Sequence, residues 1–97
     1  MAHITGHFDS DAELLGTLAH PIRLQILELL RNEERCVCDL QAALCQRQAC
    51  ISQHLMALRE VGLVICRKEG LRVYYQLSDP RLLSVLADVR AICQGKS

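Results

Sequence analysis

Along this chain the apolar positions recur first at helical spacing and later at alternating spacing. Ser10 with Glu13 reads as a capping box that opens a helix to about residue 18, leaving residues 1–8 as a flexible tail. His20-Pro21 closes that helix and starts another, since proline suits a first helical position. Ile22, Ile26, Leu29 and Leu30 share one face of this second helix. After a polar turn at residues 32–35, Leu40, Ala43 and Leu44 mark a short helix over 39–44. A turn at 45–47 leads to a longer helix over about 48–61, with Ile51, Leu55, Leu58 and Gly62 inward. Residues 63–68 and 71–77 are rich in strand formers and flank the turn signal Glu69-Gly70, so they predict a β-hairpin. Asp79-Pro80 opens a last helix to about residue 93, apolar through Leu82, Leu83, Leu86, Val89 and Ile92. The predicted order is α-α-α-α-β-β-α, a mainly α (α+β) chain. Its third and fourth helices, joined by a short turn, fit a helix-turn-helix.

Length makes this a single domain over residues 1–97. So small a domain has a thin core and gains buried area by dimerising. Only three residues are aromatic, Phe8, Tyr74 and Tyr75, so aliphatic side chains must fill the interior. No apolar run approaches the roughly 18 residues of a membrane span. Residues 1–7 lack the basic start and apolar stretch of a secretion signal. The expectation is a cytoplasmic protein without membrane contact. In that compartment six cysteines read as free thiols, metal ligands or a redox switch, not as a disulfide framework. The formal net charge is zero, but its distribution is uneven. Residues 1–40 carry three Arg against seven acids. Residues 41–75 carry Arg47, Arg59, Arg67, Lys68 and Arg72 against Glu60 and Glu69. The basic charge is concentrated in the middle segment, as a phosphate-facing surface requires.

Several motifs in this order resemble the ArsR/SmtB family of winged helix-turn-helix repressors. Residues 18–27, LAHPIRLQIL, resemble the entry to the family's second helix. Cys36-Val37-Cys38-Asp39-Leu40 resembles the thiol motif of its arsenic-sensing branch. Residues 51–55, ISQHL, and 58–64, LREVGLV, are similar to its recognition helix and exit. Arg67-Lys68-Glu69-Gly70 with Val73-Tyr74-Tyr75 resembles its wing. The similarity covers about residues 12–80. It implies a homodimer, joined through its first and last helices, that represses a promoter and releases the DNA when an inducer binds.

On the longer helix, the inward set places Ala49, Gln53, Met56 and Glu60 outward, with Gln48 and Ser52 at the flanks. Gln48 and Gln53 can offer a donor and an acceptor to adenine, and Ser52 reaches base or phosphate. Arg47 stands at the helix start, placed for a phosphate. His54 lies nearer the buried side and reads equally as a DNA contact or a structural histidine. Arg67, Lys68 and Arg72 surround the hairpin tip, where they can hold the phosphate backbone. The expected partner is double-stranded operator DNA.

Thiolates select soft, thiophilic ions. In an extended segment Cys36 and Cys38, two residues apart, point to one side and can share an ion while Val37 faces the core. The resemblance implies arsenite or another thiophilic ion as the inducer. The family's third cysteine, three residues after the second, is replaced here by Gln41. Cys45 stands about 10 Å further along the helix axis. The third ligand is open among the other subunit, Cys93 and an external thiol. Cys45, Cys50 and Cys66 read as small buried hydrophobes.

The runner-up within the fold is a redox or persulfide switch through Cys93. In the branch it resembles, the partner thiol lies in the second helix, where this chain has Glu28. The zinc-sensing branch uses Asp and His on the last helix. Asp79 and Asp88 are present, but residues 78–97 contain no histidine, so that site is not expected. His3 and His7 have ligand spacing but fall in the expected tail. A thiol oxidoreductase using Cys36 and Cys38 would need an activating environment; the adjacent charges are mostly acidic, so the expectation is a regulator and not an enzyme.

Overall fold

The computed structural model describes residues 2–95, with side chains from Phe8 to Gly95. Its elements are α1 (Ala2–Leu18), α2 (Pro21–Leu29), β1 (Arg35–Cys36), α3 (Val37–Leu44), α4 (Gln48–Glu60), β2 (Val64–Glu69), β3 (Arg72–Leu77) and α5 (Arg81–Gln94). This is a winged helix-turn-helix: α3, the turn at 45–47 and α4 form the helix pair, and β2–β3 is the wing.

Most boundaries follow from local chemistry. The His20 ring nitrogen Nδ1 accepts from the N–H of Ile22 at 3.2 Å, capping α2 ahead of Pro21. Cys45 ends α3 in the left-handed conformation, φ +53°, a position glycine more often holds. Gly70 takes φ +62° at the hairpin tip, where a side chain would be strained. Asp79 Oδ1 accepts from the N–H of Arg81 at 3.0 Å and steadies the first turn of α5.

Two departures from expectation stand out. The first helix begins at Ala2, so residues 2–8 are helical, not a tail, and the Ser10/Glu13 pair lies inside the helix. A capping box is a local signal. With no proline ahead of it and Gly6 alone as a weak former, the helix propagates through it. Met1 and the side chains of His3 and His7 lie outside the described residues. The second departure is β1. The expected polar turn at 32–35 runs into a two-residue strand, so the sheet has three strands in the order β1-β3-β2. Both pairings are antiparallel, with Cys36 opposite Tyr74 and Arg67 opposite the same Tyr74 on its other side.

The core gathers where α2, α3 and α4 meet the sheet. Ile26, Leu27, Leu40, Ile51, Leu55 and Leu58 are fully buried. Of the inward set expected on α4, Ile51, Leu55 and Leu58 are buried, whereas Gly62 is exposed in the turn beyond the helix end at Glu60; the outward set of Ala49, Gln53, Met56 and Glu60 is exposed. On α5 only Leu82 is buried; Val85, Val89 and Ile92 are exposed. Among the described residues no helix is long and apolar enough to cross a membrane.

Candidate nucleic-acid interface and thiol site

The helix-turn-helix presents its polar residues from the start of α4. Arg47, Gln48 and Gln53 are exposed, and Ser52 is half-buried at the flank. Arg47 occupies the N-cap without bonding a backbone N–H through its side chain. The first turn of α4 thus keeps donors that suit an anionic oxygen.

His54 sits differently from this set. Its Nδ1 accepts from Arg23 Nε at 3.1 Å, and its ring centroid lies 4.4 Å from that of His20. Arg23 also donates to the carbonyl of Thr17 at 3.0 Å. His54 therefore ties α4 to the α1–α2 junction while staying half-exposed beside Gln53. The physical reason is rotation: one residue beyond Gln53, the helix turns this side chain toward α2. Burial holds the His54 pKa below its usual value, helped by the neighbouring charges of His20 and Arg23. A histidine with a depressed folded pKa stabilises the fold above its unfolded value of about 6.5 and loses that contribution as pH falls through the folded value. Stability should therefore fall on acidification below about pH 6.5. His54→Gln, whose amide oxygen can still accept from Arg23, should flatten that part of the profile. Equal pH dependence of urea stability in both proteins would refute the assignment.

The wing's three cations are also not equivalent. Arg67 is exposed but its guanidinium is occupied. Nε donates to Glu34 at 2.9 and 3.1 Å, and the terminal nitrogens reach Glu34 and Glu69, the latter at 2.7 Å. The same group lies 4.7 Å over the Tyr74 ring. The Arg67 hydrogen bond, chiefly, lowers the Glu34 pKa, and the Glu34 hydrogen bond, chiefly, raises that of Arg67. Arg67 thus clamps the wing to the segment leading into β1 while its side chain stays exposed. Lys68 and Arg72 are exposed as well.

Cys36 ends β1 and caps α3. Its sulfur accepts from the N–H of Asp39 at 3.3 Å, while Asp39 Oδ2 accepts from the N–H of Cys36 at 3.4 Å. This is a reciprocal capping box with a sulfur in the usual place of a hydroxyl. Cys36 is buried, Cys38 is exposed, and Val37 packs against the core. The two sulfurs do meet, as their spacing predicts, but they are joined as a disulfide. Their Cα atoms are 5.3 Å apart, inside the bridging range. An ion can bind here only after reduction, because the thiolate is the ligand.

Asp39 joins this pair, a neighbour that the cysteine spacing alone does not announce. The two sulfurs and a carboxylate oxygen of Asp39 lie within 4.8 Å of one another. Donors on one ion at bonds near 2.3 Å are at most about 4.6 Å apart, so the reduced set fits a thiophilic ion with small adjustments. A signal for it is present in the sequence: an acid three residues after a residue that can cap. The pair borders a cavity of about 200 Å³ also lined by Gln41, Gln48, Leu71, Arg72 and Val73. The thiol site therefore lies between the start of α4 and the tip of the wing.

The other cysteines are dispersed. Cys45 is exposed, against the expectation of a buried hydrophobe; Cys50 and Cys66 are half-buried. Cys93 is exposed and lines a groove between α2 and α5 with Leu24, Glu28 and Val89. Glu28 thus faces Cys93 where a dithiol switch would need a second thiol.

Residues 20–65 match the model of a family described as bacterial regulatory protein, arsR family. Over 67 residues the chain is 51% identical to the arsenical resistance operon repressor of Escherichia coli, covering 68% of this chain and 57% of that protein. Over 83 residues it is 40% identical to the HTH-type transcriptional repressor SmtB of Mycobacterium tuberculosis, covering 86% of this chain and 62% of that protein. The chain spans about six tenths of the length of the curated relatives it matches. A solved homodimeric winged helix-turn-helix DNA-binding domain from Mycobacterium bovis superposes with a TM-score of 0.84 at 32% identity, covering 97% of this chain and 87% of that one.

Proposed function

Because this chain belongs to the ArsR family of bacterial regulatory proteins, we propose that it is a cytoplasmic, homodimeric transcriptional repressor. It binds double-stranded operator DNA and releases it when arsenite or another thiophilic ion meets the reduced thiolates of Cys36 and Cys38. In this reading Gln48, Ser52 and Gln53 address the major groove, and Arg47, Arg67, Lys68 and Arg72 hold the phosphate backbone. The chain acts as a regulator and catalyses no reaction. The exposed apolar residues of the end helices, Leu15 on α1 and Val89 and Ile92 on α5, support a dimer interface there, and the solved relative from Mycobacterium bovis is homodimeric.

The observation that carries this reading is the cavity in which Cys36 and Cys38 share walls with Gln48 and Arg72. An ion that rearranges the two sulfurs acts on residues at both DNA-facing elements, and differential contact of that kind is what couples a ligand to DNA affinity. The test is DNA release from the reduced protein, titrated in parallel with arsenite, Cd(II), Zn(II) and a persulfide donor. Release by arsenite or Cd(II) supports the reading. Release by the persulfide donor alone, dependent on Cys93, replaces it with the redox switch.

The DNA face makes its own prediction. The dimer should bind an imperfect inverted repeat with half-site centres about one helical turn apart or a multiple of it. Gln53→Ala should erode discrimination between bases by about 1–3 kcal/mol at one position. Lys68→Ala and Arg72→Ala should instead weaken all sequences alike, each reducing the slope of affinity against salt by about one. Unchanged base preferences in Gln53→Ala would remove α4's outward face as the reading surface.

A further inference from the structure

We infer that Cys38 is a site of thiol–disulfide exchange with low-molecular-weight disulfides that carry a carboxylate, and that Cys36 is its resolving thiol. The inference rests on the two sulfurs and their cavity, and its readout needs neither DNA nor a metal ion, so it stands or falls apart from the operator reading.

The pair is asymmetric in a way that assigns the roles. Cys38 is exposed, so an incoming sulfur can reach it, whereas Cys36 is only 2% exposed at the edge of the cavity with the Cys38 sulfur bonded to it. The Cys36 sulfur already accepts the N–H of Asp39 at 3.3 Å, so it has a hydrogen-bond donor waiting when it is released. The adjoining cavity of about 200 Å³ offers room for a peptide-sized adduct. Arg72 in its wall supplies a positive charge for the adduct's carboxylate, and Gln41 supplies an amide. The Asp39 carboxylate, within 4.8 Å of the sulfurs, opposes negative charge there, which makes Arg72 the group that favours an anionic reagent.

The chemistry balances in two displacements. The Cys38 thiolate attacks one sulfur of the small disulfide RSSR. A Cys38–SR bond forms, the RS–SR bond breaks, and one RS⁻ leaves and takes up a proton. The Cys36 thiolate then attacks the Cys38 sulfur and expels the second RS⁻, closing the Cys36–Cys38 disulfide seen in the structure. The protein loses two electrons and two protons, and RSSR becomes two RSH. In reverse, RS⁻ attacks the exposed Cys38 sulfur and Cys36 departs toward the Asp39 N–H.

The experiment exposes the reduced full chain to oxidised glutathione and maps adducts by peptide mass spectrometry. The native protein should close the Cys36–Cys38 disulfide with little lasting adduct. Cys36→Ser, which retains a good capping residue, should trap glutathione on Cys38 about tenfold faster than on exposed Cys45 or Cys93. Cys38→Ser should leave Cys36 unmodified. Arg72→Gln should slow the trapping about tenfold with glutathione disulfide but not with the cationic disulfide cystamine. Equal labelling of Cys38, Cys45 and Cys93 in Cys36→Ser overturns the assigned site. Ready adduct formation on Cys36 in Cys38→Ser overturns the assigned roles, and an Arg72→Gln effect that ignores reagent charge overturns the carboxylate preference.

Discussion

Cys38→Ser, in the reduced protein, is expected to stay on its operator at arsenite concentrations that release the native protein. Cys36→Ser should do the same. A coupling of about 1–3 kcal/mol is ordinary for an allosteric regulator, so native release should appear as roughly 5–150-fold weaker binding, and either variant should lose it. Both variants should still bind DNA, because neither sulfur belongs to the exposed polar set of α4 or to the wing. Cys36→Ser keeps a hydroxyl in the capping position of α3, so its fold is secured. The controls follow from position. Cys45 closes the far end of α3, about 10 Å along the axis from Cys38, and Cys45→Ser should respond normally. Cys93 lines a different groove, with Leu24 and Glu28; loss of response in Cys93→Ser would identify it as the missing ligand or an essential support of the site. Fluorescence anisotropy of labelled operator, titrated with arsenite under a reductant that does not itself chelate the ion, reads all four variants. A normal arsenite response in both Cys36→Ser and Cys38→Ser would move the inducer site elsewhere.

Leu55→Ala should lower stability by about 2–5 kcal/mol, the range for a buried leucine whose cavity only partly collapses. Leu55 is fully buried within the cluster that joins α2, α3 and α4 to the sheet. Against a total of about 5–15 kcal/mol for a small domain, this single change removes a large share of the fold. At about 4–8 °C per kcal/mol the melting temperature should drop by roughly 8–40 °C. Gln53→Ala, two residues earlier on the same helix but exposed, should stay within about 0.5 kcal/mol of native. The pair forms a contrast: one substitution removes stability, the other base discrimination. Urea denaturation at one protein concentration measures both, since dimerisation couples stability to concentration. A Gln53→Ala cost equal to that of Leu55→Ala would mean that α4 is rotated on its axis.

The rotation of α4 is legible in the amino-acid sequence alone, because burial against one side of a helix imposes a 3.6-residue period that the positions of Ile51, Leu55 and Leu58 carry. The start of α2 at Pro21 and the hairpin about Gly70 are equally local, each set by backbone chemistry within a few residues. The meeting of the Cys36 and Cys38 sulfurs also follows from spacing. What lies beyond the sequence are pairings between distant segments. Arg67 is paired with Glu34, separated by 33 residues, a contact that a count of charge along the chain does not show. His54 is drawn inward by Arg23, 31 residues away. The strand at Arg35–Cys36 is too short to carry a periodic signal and exists only because β3 supplies its hydrogen-bond partner. The extension of α1 to Ala2 passes through a capping signal that nothing local can rank against helix propagation. Periodicity reports which side of an element is buried; it carries no information about which distant charge or strand will lie against it. That choice belongs to tertiary packing, where desolvation and hydrogen-bond satisfaction are decided by neighbours in space.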